Sequence, residues 1–72
     1  MILKTISDEV TRAKGLYPTF HSAHEGYAVI KEELDELWDL VKRSKVTEGS
    51  PDMKKECIQI AAMAVRFIED LC

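Results

Sequence analysis

The chain lacks a Cys-x-x-Cys pair, and no cluster of His and Cys completes a zinc set. Its two cysteines, Cys57 and Cys72, are far apart. Cys57 falls in an apolar stretch and is expected to be a reduced, buried thiol, which suits a reducing cytoplasm. There is no basic excess either. Ten Lys and Arg stand against thirteen Asp and Glu, for a net charge of -3 and a pI near 5.3. That argues against a binder of nucleic acid polymers, which needs a basic face. It leaves room for a nucleotide ligand, because a bound metal reverses the local sign. No long apolar run is present. The longest uncharged stretch, Cys57 to Val65, is far short of the roughly 20 residues of a membrane span. Charge follows directly on Leu3, so no signal-peptide pattern appears. A cytoplasmic protein with no membrane partner is the expectation.

What is present is apolar content packed into little length. Hydrophobic residues make up 46% of 72 residues, too many for disorder. One domain, residues 1–72, is all this length allows. A core of that size is marginal for a lone chain, and self-association is the expected outlet.

The periodicity predicts an all-α fold of three helices without strands. The first covers about residues 2–14, with Ile2, Ile6, Val10 and Ala13 on one stripe and Gly15 as its stop. Pro18 bars helix through Tyr17. The second begins near Ser22, with Glu25 completing a capping box, and runs to about Ser44. Tyr27, Ile30, Leu34, Leu37 and Val41, widened by Trp38, form its apolar stripe. The third starts from the cap Ser50 and Pro51. It is apolar nearly all round from Cys57 to Ile68. Two short helices cannot surround such a helix. The architecture expected is therefore a three-helix protomer with a long antiparallel helical hairpin, its bundle completed by homo-oligomerisation.

The chemistry lies in the acids. Glu33 and Glu36 occupy a stripe with Val29 and Leu40, adjoining the apolar one. Residues three apart are helix neighbours, so these carboxylates repel unless a cation or proton intervenes. Glu32 is the nearest further acid, while Asp35 and Asp39 point further toward solvent. On the third helix Glu56 and Gln59 repeat the spacing, and antiparallel packing can bring Glu56 to Glu33 and Glu36. Three carboxylates and an amide oxygen are hard ligands that suit Mg²⁺, or Mn²⁺, better than zinc. The same spacing also occurs on ordinary solvated helix faces.

Glu32-Glu33-x-x-Glu36, followed after the hairpin by Glu56-x-x-Gln59, resembles the EExxE…ExxD pattern of MazG-like nucleotide pyrophosphohydrolases. These belong to the all-α nucleoside triphosphate pyrophosphatases. The stretch from His24 to Leu71 resembles their small phage and prokaryotic members. The resemblance implies a helical homodimer or homotetramer that takes a nucleoside triphosphate. It implies Glu33, Glu36 and Glu56 as Mg²⁺ ligands, with Gln59 in the place of the fourth. Glu32 or Glu36 is then the acid that accepts the proton of the attacking water. The products are a nucleoside monophosphate and pyrophosphate. The family motif ends in Asp where this chain has Gln59, whose amide can ligate but carries no charge and is no base. The alternative is a non-catalytic helical module that binds nucleotide or serves assembly.

Among the remaining residues, Tyr17 and Phe20 are the candidates for a pocket wall, whereas Tyr27 and Trp38 are expected in packing. His21 and His24 read as a helix-start pair rather than metal ligands. Arg66 is expected to pair with Asp70, four residues on.

Overall fold

The computed structural model describes residues 1–72 as three helices and no strand. They are α1 (Ile2–Leu16), α2 (Ala23–Arg43) and α3 (Pro51–Leu71). Side-chain caps start the two longer helices. Ser22 Oγ accepts from the Glu25 N–H at 3.1 Å, and Ser50 Oγ from the Met53 N–H at 3.2 Å. The Glu25 carboxylate reaches one residue beyond the usual capping box and accepts from the His21 N–H at 2.8 Å. Helix α1 runs past its expected stop. No glycine has positive φ, so Gly15 forms no left-handed cap. The helix ends instead at Tyr17, held extended (φ -128°, ψ 146°) by the proline that follows.

Helix α3 is the central element. Helices α1 and α2 each pack on it and make no close backbone contact with each other. Val10 and Ala13 of α1, Phe20 of the connector, and Ala62 and Met63 of α3 form the buried core. Val29, Ile30, Phe67 and Leu71 pack around it. Gly26, early in α2, lies against Phe67 and Leu71, late in α3, so the two helices run in opposite senses. Only seven residues are buried, in a body of 38 × 28 × 19 Å. Its thinnest dimension is about two helix diameters of roughly 10–12 Å. Most side chains therefore keep one wet side.

The rotation of α2 differs from expectation. Of its apolar stripe, Tyr27, Leu34, Trp38 and Val41 face outward, Trp38 being 58% exposed. Helix α2 meets α3 through Gly26, Val29 and Ile30 instead, with Glu33 half-buried one turn further on. The close approach at Gly26 fits this rotation. A Cβ there would stand 2.5 and 2.9 Å from two atoms of the Phe67 ring. Gly26→Ala gains about 1 kcal/mol of helix propensity and loses about 1–3 kcal/mol to overpacking. The expected net result is a lower urea midpoint, and a raised midpoint would show that the contact has slack. Cys57 is exposed, not buried, because a helix flanked on two sides keeps a free face.

The connector between α1 and α2 is pinned from below. Arg66 Nη2 donates to the Pro18 carbonyl at 2.8 Å, and Asp70 Oδ2 accepts from the Phe20 N–H at 3.0 Å. The Arg66–Asp70 ion pair that the spacing suggests does not form, because both side chains are engaged by the connector.

Candidate metal centre

Glu33 and Glu36 project from adjacent turns of α2, and Glu56 from the first half of α3. Each offers a carboxylate oxygen within 4.8 Å of the others. Glu33 and Glu56 are half-buried and Glu36 is exposed. None of the ion pairs of the fold reaches any of the three; each joins other residues. Glu56 Oε2 is buried and accepts no hydrogen bond. An orphaned, buried carboxylate oxygen facing two further carboxylates is costly on its own.

The strain is visible in protonation. Burial, then the close approach of the Glu56 carboxyl, then the charges of Glu36 and Glu56, push the Glu33 carboxyl up to about 7. A proton relieves this repulsion, and a divalent cation relieves it further. The donor set fits a hard ion. Three carboxylate oxygens within 4.8 Å of one another could close around Mg²⁺, which holds its oxygens at roughly 2.1 Å.

A pH dependence follows for the metal-free protein. A carboxyl raised from 4.5 to about 7 in the fold contributes stability that is fully present below 4.5. That stability is lost as pH rises through about 7. The full shift corresponds to about 3 kcal/mol at 1.36 kcal/mol per unit, and solvent at a half-buried site reduces it. The melting temperature should fall between pH 5 and 8, and Mg²⁺ should restore it most above pH 7. A melting profile flat in pH and indifferent to Mg²⁺ would remove the cluster as a cation site.

The other sequence-predicted residues sort themselves around this centre. Glu32 is exposed and outside the cluster. Gln59, one turn beyond Glu56, lines a groove together with Glu33. Its amide lies beside Glu9 of α1. Glu9 is held by Arg12 through two hydrogen bonds of 2.8 and 2.6 Å. That guanidinium, aided by Gln59, keeps the Glu9 carboxyl below the ordinary range. Neither histidine joins the acids; His21 Nδ1 lies 3.7 Å from Glu25. Tyr17 and Phe20 do wall the groove, as expected of them, beside Pro18. Glu9, Arg12 and Arg66 also line it, and the sequence pattern does not single them out. Their i, i+3 and i, i+4 partners read as surface pairs.

No protein-family model, curated protein or solved structure matches this chain. No helix is long and apolar enough to cross a membrane.

Proposed function

We propose that this protein is a Mg²⁺-dependent nucleoside triphosphate pyrophosphohydrolase of the MazG-like type, working as a homo-oligomer. The observation that carries the reading is the convergence of Glu33, Glu36 and Glu56, with no cation paired to them and a buried oxygen of Glu56 unpartnered. The EExxE…Exx motif falls on these same residues.

Glu33, Glu36 and Glu56 are the metal ligands, and Gln59 supplies a neutral oxygen at the edge of the set. Bound Mg²⁺ neutralises triphosphate charge and makes a water more acidic. Glu32 stands one residue before the ligand Glu33, exposed and in no ion pair, so it is free to accept that water's proton. The water oxygen bonds to the α-phosphorus and the bond to the bridging oxygen breaks. Nucleoside monophosphate and pyrophosphate leave, and Glu32 returns its proton to solvent. Half-burial of Glu33 and Glu56 holds their carboxylates in a partly dry setting, where charge interactions are stronger.

The second copy is read from α2 and α3. Tyr27, Leu34, Trp38, Val41 and Ile68 are large apolar side chains between 42% and 63% exposed. Tyr27 and Ile68 share a shallow apolar depression with Ile30, Ala64 and Phe67. Two chains related by a two-fold axis cover such a stripe with itself and complete a helical bundle, and a tetramer pairs two dimers.

Gln59 favours one alternative, a protein that binds nucleotide through Mg²⁺ without turning it over, because the amide adds no charge to the set. Pyrophosphate release from the canonical nucleoside triphosphates, with and without Mg²⁺ or Mn²⁺, separates the two. Metal-dependent release is expected. Binding without release would install the alternative.

A further inference from the structure

Helices α1 and α2 rest on α3 without meeting, which leaves a groove of about 320 Å³ between them. Gln59, Met63 and Arg66 of α3 lie along it in successive turns. Tyr17, Pro18 and Phe20 of the connector wall it, and Glu33 of the acidic centre lines it too. The groove thus joins the acids to an aromatic wall. Arg66 lies ten residues beyond Glu56, about 15 Å along the helix at 1.5 Å per residue.

Arg66 is the anomaly in this groove. It is only 3% exposed, yet no carboxylate pairs with it. Its one strong acceptor is the Pro18 carbonyl; Met63 Sδ, at 3.7 Å, is a weak one. Its Nε–H is buried with no acceptor. The guanidinium sits 4.7 Å from the centroid of the Phe20 ring. Asp70, the natural partner one turn on, accepts from the Phe20 N–H instead. A guanidinium carries five donors, and burying it with so few acceptors is unfavourable unless a ligand supplies more.

We infer that the groove receives the nucleoside part of the substrate and that Arg66 determines base specificity by donating to a ring carbonyl. This rests on the reading that the acids hold the phosphates. With the phosphates at the Glu33 end, the sugar points the far edge of the base toward Arg66. Guanine and hypoxanthine present O6 there, and uracil and thymine present O4; each is a carbonyl acceptor where adenine and cytosine carry an amino group. Adenine and cytosine present an amino donor, which meets the Arg66 donors unfavourably. Tyr17, exposed at the groove wall, supplies a face for stacking, while the Phe20 ring holds the guanidinium in place. The ligand class is therefore a 6-keto purine or 4-keto pyrimidine nucleotide.

The test is equilibrium binding of GMP, UMP, AMP and CMP with Mg²⁺, beside turnover of the four triphosphates, on wild type, Arg66→Lys and Arg66→Met. Keto nucleotides should bind at least about tenfold tighter than amino ones, the discrimination typical of a good base contact. Arg66→Met should erase that ratio and Arg66→Lys should keep part of it. A role confined to holding Pro18 would lower binding of all four alike and leave the ratio intact, which would overturn the inference. Equal binding of all four by wild type, or no binding of any, would overturn it without any variant, so misfolding of Arg66→Met does not shield it. Turnover without base preference sinks the inference and spares the pyrophosphohydrolase reading. Discriminating binding without turnover does the reverse.

Discussion

Glu56→Gln should lower Mg²⁺-dependent pyrophosphate release by about 10²–10³-fold, while the metal-free variant melts no lower than wild type at pH 8. The two halves of this result have one cause. Glu56 is the acid that α3 contributes to a set otherwise built on α2, and its buried Oε2 has no hydrogen-bond partner. The amide that replaces it keeps an oxygen but no charge, and Gln59 is already neutral, so only two carboxylates are left to hold the cation. Loss of a charge-stabilising group that acts on the transition state typically lowers turnover by about 10²–10³-fold. In the metal-free protein the same charge opposes folding. It helps push the Glu33 carboxyl up to about 7, so neutralising it relieves repulsion. Most substitutions that destroy activity through misfolding lower the melting temperature. A variant that is inactive and as stable as wild type, or more so, is the signature of a site held under electrostatic strain. Full activity in Glu56→Gln would remove the metal centre from the mechanism.

Leu34→Glu combined with Trp38→Glu should convert the protein from an oligomer to a monomer, seen as a halved or quartered mass by light scattering at micromolar concentration. Leu34 is 49% exposed and Trp38 58% exposed on the outer face of α2. In a two-fold interface each residue acts twice. Covering the exposed half of four such side chains at about 1 kcal/mol apiece makes about 4 kcal/mol depend on them. Glutamates in their place meet the partner's glutamates, which adds repulsion. The melting temperature of the variant should fall and lose its dependence on protein concentration, because association stabilises only the folded state. A wild type that is already monomeric at these concentrations would end the oligomer reading. The stripe would then need another explanation, since a run of exposed Leu, Trp and Val on one helix face is uncommon on a monomer.

Legibility in the sequence followed the range of the interactions involved. Ser22 and Ser50 mark their helix starts because a cap bonds a backbone N–H three residues away. Pro18 marks the end of α1 because its ring restricts only the residue before it. Gly15 misleads for a related reason: glycine permits a left-handed stop but does not require one, and here the proline acts first. The pair Glu33 and Glu36 is visible from spacing, since the helix alone makes them neighbours.

The remaining features depend on neighbours distant in sequence. The apolar stripe of α2 identifies a face to be covered and says nothing of whether α3 or another chain covers it. In the fold Gly26 meets Phe67 and much of that face, Tyr27, Leu34, Trp38 and Val41, lies outward. Spacing joins Arg66 to Asp70, yet the connector, some fifty residues earlier, takes both. Cys57 sits in apolar sequence but on a side of α3 that neither helix reaches. The groove has no sequence signature, because it exists only where α1 and α2 fail to touch.

By itself, then, the sequence determined three helices, their starts and the identity of the acids. These are set by hydrogen bonds and side-chain neighbours within about four residues, which fold in the same way whatever surrounds them. The tertiary structure alone decided which face of α2 meets α3, that Glu56 stands beside Glu33 and Glu36, and that Arg66 is buried without an anion. Those outcomes depend on the shapes of side chains brought together from opposite ends of the chain, as at Gly26, where the missing side chain leaves room for Phe67.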